Sequence, residues 1–515
     1  MSLSQIKNKM LYNKTSVIRN SFFCVMAFFI TTFCSMCSFL FPLHNRVDQN
    51  IFFTIGREML EGKDVYTDLF DHKGTYTYLM HELAALFSTE SMIGIFIFEV
   101  VFMFVYILFL YKIANLYLKP LPSVLVSIIT ASLTSVTRCF LRGNNNEEFV
   151  YVFLVISLYY MLRDDIPSNK ALILNGAFVA FTLWYKFTLL GFWVGLVLVT
   201  YIPMLLKKDW KRFFKSIGMF LIGFGALTLP VFIYHLIKGN VYDFLYTYIY
   251  CNVFLYAKDL TFLQRIFKLF ESLVRNFLEN PILIIVMLYG IRGFFCNRKF
   301  IKKLSSRLCV LACFIIAYIL IYFGGVWYDY YLLVLAPFAV FGVISIVDFI
   351  LNIKAVSKFF YKNRIIVSVA IMIVVMIGTV VFSNCFPYLG RADEEFAQIK
   401  FANMIKKVSS EKEIDNPTLL NYGFIDQGFY LAADIRPINK YFCRVNIPKD
   451  ALPEMYEEQN SLLKNKTVDF VVTRTTQKHV AAEYKHDILQ SNYEFVCEAD
   501  DIHDNYRYGL WVRKK

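Results

Sequence analysis

The chain has 515 residues, of which 57% are hydrophobic, 18% aromatic and 18% charged, with a mean hydropathy of +0.49. Soluble domains are about 45–50% apolar and about 25% charged, so disorder, collagen, a coiled coil and a cytosolic enzyme are excluded. The net charge of +13 comes from Lys and Arg gathered in short loops between apolar runs, a cytoplasmic-loop signature that needs no nucleic acid as partner. At about 20 apolar residues per crossing, the length holds about ten spans and a soluble domain besides, which defines a polytopic membrane protein in contact with a lipid bilayer. Abundant Lys, Asn, Ile, Phe and Tyr suggest a bacterial source.

Lys7, Lys9, Lys14 and Arg19 precede an apolar run from Ser21 to Leu43, which lacks a small-residue cleavage site and reads as a retained anchor. Further runs begin near Ser91, Leu121, Glu148, Ala171, Thr188, Ser216, Pro281, Leu308, Tyr331 and Ile365, predicting eleven spans. Three basic clusters fall on the side of the N-terminus: Lys207 to Lys215, Arg292 to Arg307 (with Arg298, Lys299 and Lys302) and Lys354 to Arg364. The N-terminus is therefore expected in the cytoplasm and the C-terminus outside the cell membrane.

The outer face then receives 44–87, the turn Arg142 to Glu147, 238–275, 324–330 and the tail after Asn384; loops this long usually carry function. The tail is less apolar, with strand-like Pro417 to Leu420 and Val468 to Thr473 between helical patterns at Ala392 to Val408 and Pro453 to Lys464. The expected organisation is an α-helical transmembrane domain over 1–390, with outer loops 44–87 and 238–275, and an extracytoplasmic α/β domain over 391–515. The 11 cysteines imply no disulfide framework; Cys34-Ser-Met-Cys37 sits in an apolar run, and Cys443 and Cys497 are left as a candidate pair in the tail.

The first outer loop carries the chemistry. On a helical wheel from Asp48 to Leu60, Ile51, Phe52, Ile55 and Met59 fall within about 60° of Asp48, predicting an amphipathic interfacial helix headed by a carboxylate. Asp48 reads either as a helix N-cap or as a general base at the membrane boundary. Asp71-His72-Lys73 reads either as a solvated loop or as a grip on an anionic head group.

Asp48, Gly56-Arg57-Glu58-Met59-Leu60, Gly62, Tyr66 and Phe70-Asp71-His72-Lys73-Gly74 resemble the first outer loop of GT-C integral-membrane glycosyltransferases. The protein O-mannosyltransferase and lipid A aminoarabinose transferase groups are the nearest in pattern, with Gly74 standing where that pattern has proline. Gly143 to Phe149 resembles the family's second acidic site, and Trp327-Tyr-Asp-Tyr-Tyr331-Leu its late aromatic turn. The resemblance implies a GT-C-like fold and transfer of a sugar from a polyprenyl-phosphate-linked donor to a hydroxyl of a cell-envelope acceptor, with Asp48 as the catalytic residue. Lys73, His72, Lys186 and Tyr328 are expected at the donor phosphate, and Asp71, Glu147 and Arg142 at the sugar or acceptor; Lys186 reads alternatively as a snorkelling residue, and Glu147 and Glu148 as N-terminal helix carboxylates favoured by the macrodipole. No cofactor is expected, since the histidines show no zinc spacing; a divalent metal between Asp48 and Glu147, used by some members of the superfamily, is the alternative. A polysaccharide polymerase or ligase is the nearer rival function, and a lipid-linked sugar flippase the more distant one.

Overall fold

The computed structural model describes residues 3–164, 166–256, 260–296, 300–301, 303–502 and 504–515, with side chains from residue 15 onward except residue 394. Arg298, Lys299 and Lys302 lie outside the described residues, as do the side chains of Lys7, Lys9 and Lys14. Helix α1 (Leu3–Cys34) is followed by two helices of the first long loop, α2 (Val47–Leu60) and α3 (Thr75–Ala85). The other ten apolar runs are helical too: α4 (Ile93–Ala114), α5 (Pro120–Val136), α6 (Asn146–Arg163), α7 (Asn169–Lys186), α8 (Gly191–Leu206), α9 (Trp210–Lys238), then α10 (Phe262–Glu279) leading into α11 (Pro281–Cys296), α12 (Leu304–Tyr322), α13 (Asp329–Asn352) and α14 (Arg364–Val381).

Seven described helices are long and apolar enough to cross a bilayer, and the pair α10–α11, bent by 112°, makes an eighth. Helices α5 and α8 are apolar but shorter, and α6 carries Glu147, Glu148 and Arg163 within its 18 residues. The surfaces of these helices need an apolar solvent. In α14 only 6% of the apolar window is buried, with Ile365, Ile366 and Val374 all more than two-thirds exposed, so lipid is what covers them. The chain is a multi-pass membrane protein.

The first span is shorter than its apolar run. Helix α1 ends at Cys34, not Leu43, and past its end the Ser38 hydroxyl takes a terminal carbonyl, Oγ donating to Thr32 O at 2.8 Å. Two long irregular helices occur, a π-helix at Tyr246–Leu255 in a segment expected outside and a 3₁₀ stretch at Asp329–Phe338, containing Pro337, that runs from the outer turn into the expected span. Runs of either kind this long are uncommon and tend to sit at functional positions.

By internal packing the chain forms two compact units, 1–38 with 96–229 and 258–387, and 39–95 with 230–257 and 388–515. The second unit resumes at Tyr388, and the first long loop packs with the tail. The physical reason is charge: Arg57 of α2 pairs with Asp434 at 3.0 Å, and Glu58 with Arg436 at 3.1 Å.

The tail is an α/β structure. Strands β1 (Leu419–Asn421), β2 (Phe470–Thr476), β3 (Tyr493–Asp500) and β4 (Tyr506–Arg513) lie in the order β1-β2-β4-β3. Strands β1 and β2 are parallel, which requires a crossover; α16 (Pro453–Lys464), which follows α15 (Ala397–Lys412) in the tail, supplies it. The β3–β4 hairpin completes the sheet with a bulge between Phe495 and Cys497. Leu420, Leu463, Val468, Val471, Leu489 and Trp511 fill one face, with the Trp511 indole N–H on Thr473 Oγ1 at 3.0 Å. Cys443 and Cys497 are free thiols, so that candidate pair is not formed.

Helix α2 is enclosed on all sides: Gln49 through Met59 are buried. The amphipathic interfacial helix expected here is therefore replaced by a core helix, because its polar face meets the tail, with Thr54 Oγ1 donating to Asp426 Oδ2 at 3.2 Å. On its other side α3 crosses so closely that a Cβ on Gly56 would lie 2.5 Å from the His81 carbonyl carbon. Gly56→Val is expected to cost about 3 kcal/mol or more of stability, read as a lowered unfolding temperature and a reduced monodisperse yield in detergent, whereas Leu60→Ile at the helix end changes neither.

Candidate active site

Helix α2 begins with Arg46 at the N-cap, and no side chain caps it. Asp48 is the second residue of the helix, half-buried, so the N-cap reading is corrected: it lies in the first turn, where the helix dipole favours negative charge.

The loop to α3 is built around Tyr66. It has φ 78°, a conformation costly for a bulky residue, and is fully buried with its ring 5.8 Å from Tyr78 and 5.7 Å from His235. Its hydroxyl donates to the Lys73 carbonyl at 2.8 Å. Burial pushes the Tyr66 phenol well above its ordinary range, so it stays a donor. Tyr78 holds the next residues: its hydroxyl accepts from the Lys73 N–H at 2.9 Å and donates to Asp71 Oδ2 at 2.8 Å. Burial and then the Asp71 charge raise the Tyr78 phenol likewise.

Asp71 and His72 are thus buried, 2% and 7% exposed, and the solvated-loop reading is corrected. His72 Nδ1 faces Asp71 Oδ1 at 3.5 Å, its ring lies 5.1 Å from Tyr256, and its carbonyl accepts from Asn252 Nδ2 at 2.5 Å. Only Lys73 of the three reaches toward solvent; its Nζ lies 5.5 Å from the Phe52 ring centroid. Gly74, where the GT-C pattern has proline, has φ −75° and ψ 155°, values a proline adopts, so the turn is the same with either residue.

The second cluster lies in the other unit. The turn before α6 holds Leu141, Gly143 and Asn144 at positive φ. A Cβ on Gly143 would lie 2.4 Å from both Glu99 Oε1 and Ser35 Oγ, so only glycine fits. Glu99 anchors this turn, accepting from the Asn144 N–H at 2.6 Å and from Ser35 Oγ at 2.7 Å. Arg142 is buried, and its carbonyl accepts from the Met36 N–H at 2.9 Å.

Glu147 and Glu148 occupy the first turn of α6 and are 0% and 2% exposed. Lys186, at the end of α7, places its Nζ 2.6 Å from Glu147 Oε1. The same ammonium lies 4.9 Å from the Tyr330 ring centroid and 4.8 Å from that of Tyr331. Tyr328 stacks on Tyr330 at 5.5 Å, so the aromatic partners of Lys186 are its neighbours. The structure brings Glu147 and Lys186 together, and Asp71, His72 and Lys73 together. Asp48 shares a unit with the latter group; Arg142, Glu147, Lys186 and Tyr328 share the other.

Sequence reasoning missed Tyr78, Tyr330 and Glu58 as organisers. Tyr78 sits four residues after Gly74 inside an aromatic-rich stretch, and nothing in its spacing marks it as the partner of Asp71. Among the described residues, no group of three or more His, Cys, Asp or Glu side chains is placed to hold a metal ion. Glu147, one of the two ligands considered, already faces an ammonium.

Fold and loop together define the class: a polytopic membrane protein of the GT-C fold, resembling the integral-membrane glycosyltransferases. Residues 71–237 match the family model for dolichyl-phosphate-mannose-protein mannosyltransferase. The fold is similar to that of ArnT from Cupriavidus metallidurans bound to undecaprenyl phosphate, with 10% identity and a TM-score of 0.58 over 96% of this chain and 98% of that one. It is similar also to the apo form, with 10% identity and a TM-score of 0.55 over 97% and 98%. The archaeal oligosaccharyltransferase AglB from Archaeoglobus fulgidus, in complex with an inhibitory peptide and a dolichol-phosphate, gives 12% identity and a TM-score of 0.47 over 96% and 74%. No curated protein matches the sequence.

The buried pair yields a stability prediction. Lys186→Met leaves Glu147 without its cation and is expected to destabilise the protein by about 3–5 kcal/mol. Adding Glu147→Gln should recover most of that loss, as read in a double-mutant cycle of thermal unfolding.

Proposed function

We propose that the protein transfers a sugar from a polyprenyl-phosphate-linked donor to a hydroxyl group of a cell-envelope acceptor on the extracytoplasmic side. The observation that carries this reading is the family-model match, which opens at Asp71 in the loop Tyr66 and Tyr78 hold in place. The GT-C fold supports it, as does the undecaprenyl phosphate bound by ArnT, the protein whose fold is similar over 96% of this chain.

In this mechanism the Asp48 carboxylate accepts the proton of the acceptor hydroxyl as its oxygen attacks the anomeric carbon. The bond from that carbon to the phosphate oxygen breaks on the opposite face, and polyprenyl phosphate leaves with the bonding electrons. Lys73, with His72 beside it, meets the phosphate charge that grows as the bond breaks. Asp71 is fixed by Tyr78 toward a sugar hydroxyl, and Arg142 and Glu147 serve the sugar or acceptor. Lys186 orients Glu147, with Tyr328 and its stacked neighbours forming the wall beside them. Side-chain cations carry the neutralisation, so EDTA is expected to leave transfer unchanged.

Asp48→Asn keeps the size of the side chain and removes its basicity. It is expected to reduce release of free polyprenyl phosphate at least about 100-fold with normal expression; near-parental turnover would remove Asp48 from the mechanism. Lys73→Met is expected to weaken donor binding and turnover together, and unchanged donor affinity would move the phosphate elsewhere. A single cysteine at Asn460, in a background without reactive thiols, should label with an impermeant reagent in intact cells. Labelling only after lysis would reverse the orientation.

A further inference from the structure

The tail contains a polar cavity of about 400 Å³ at the C-terminal end of β1. Gly423, Phe424, Arg444, Asn446, Tyr456 and Arg474 line it, and no lining residue is acidic. The volume is within the range of small-molecule sites and suits a single sugar or polyol unit.

Its two arginines are held without carboxylates. Neither Arg444 nor Arg474 forms an ion pair among the described residues, although both are half-buried, a situation in which arginine is usually matched by an acid. Aromatic rings hold them instead: Arg444 Cζ lies 4.1 Å from the Tyr456 centroid and 5.3 Å from that of Tyr422. Arg474 Cζ lies 4.3 Å from the Tyr506 centroid and 5.2 Å from that of Phe424. Stacking fixes a guanidinium by its faces and leaves its N–H edge available, the geometry in which it binds a phosphate or carboxylate through two parallel hydrogen bonds.

The hydrogen-bond inventory of Arg444 is incomplete. Its Nε is buried with no acceptor, and Nη2 reaches Gln459 Oε1 at the long distance of 3.5 Å. A buried donor left unmet is costly, and a bound acceptor relieves that cost. Tyr422 Oη, engaged with His486 Nε2 and Asn460 Oδ1 at 2.7 Å each, is also in reach of the Arg444 guanidinium, and Nε still has no acceptor. Both guanidiniums act on the one Tyr484 phenol, pulling its pKa down against the larger upward push of burial, so they share one electrostatic neighbourhood.

We propose that Arg444 and Arg474 form an oxyanion-binding pocket, separate from the transfer site, that takes the phosphate or carboxylate of a carbohydrate acceptor chain. The acceptor assignment rests on the glycosyltransferase reading; the anion site does not. Asn446 and the Tyr456 ring then meet the neutral part of the same unit, and a polyanionic glycan is held by one residue while another presents its hydroxyl for transfer.

The test uses the full chain in nanodiscs without donor, titrated by ligand-observed NMR with glycerol 1-phosphate, with glucuronate, and with glycerol and glucose as uncharged controls. Saturable binding of either charged probe, with none of the uncharged ones, is expected, and which probe binds distinguishes a phosphate-bearing chain from a uronate-bearing one. Arg444→Gln and Arg474→Gln should each weaken binding about tenfold or more. If either variant fails to fold, Asn446→Asp, at an exposed lining position, places a negative charge in the pocket without removing packing and should weaken binding as well. Absence of saturable binding by the parent protein, or binding undiminished in Asn446→Asp and in a folded arginine variant, overturns the proposal. Because no donor is present, that failure is distinct from a failure of the Asp48→Asn experiment.

Discussion

Glu58 is the constraint around which the first loop and the tail are organised. Its carboxylate is 1% exposed, and taking such a group out of water costs several kcal/mol unless cations replace the lost hydration. Lys63 Nζ, at 2.6 Å, comes from the same loop and also donates to the Pro437 carbonyl, and Arg436, at 3.1 Å, comes from the tail. The adjacent Arg57 is buried too and reaches Asp434. Burial, reinforced by the nearby Arg436 charge, lowers the Arg57 pKa, and Asp434 opposes that shift. Neither acid nor base in this group is satisfied by the loop alone. The loop and the tail therefore pack as one unit, and α2 becomes rigid enough to hold Asp48 in a fixed position.

Both candidate clusters are reached through backbone that carries strain. Tyr66 in the first loop, and Leu141 and Asn144 before α6, adopt positive φ although none is glycine, each costing about 1–3 kcal/mol. Such residues persist only where the surroundings over-determine them. At Tyr66 this is the hydroxyl bond to Lys73 and the packing of three aromatic rings. Before α6 it is Glu99, which binds the Asn144 amide, together with the Asn145 amide group on the Phe140 carbonyl at 2.7 Å.

The two clusters treat charge differently. Glu147 is matched by an ammonium at 2.6 Å in a buried setting, so its charge is already compensated before any ligand arrives. Asp71 is met by a phenol, which fixes its orientation, and by the His72 imidazole at 3.5 Å in place of a permanent cation. A carboxylate of the first kind suits orientation of a neutral hydroxyl, whereas one of the second kind lends its negative field to the neighbouring His72 and Lys73.

The sequence by itself determined the membrane class, the helicity of all eleven apolar runs, the α/β nature of the tail and the loop that carries the Asp71-His72-Lys73 group. These follow from local properties: apolar length, hydrophobic period and a short run of residues with its own pattern. Helix Pro453–Lys464 was legible to its ends because proline opens it, while the β3–β4 hairpin, with a bulge and mixed burial, was not. Only the tertiary structure decided that α2 is a core helix, that Lys186 pairs with Glu147 and that Tyr78 holds Asp71. The end of α1 at Cys34 was likewise hidden, because hydropathy does not register a serine hydroxyl, here that of Ser38, that takes a backbone carbonyl. Those outcomes rest on partners tens to hundreds of residues away, such as Asp434 for Arg57 and Asp426 for Thr54. A polar face reads as solvent-facing until the distant segment that covers it is known, and the periodicity of α2 carries no information about that segment.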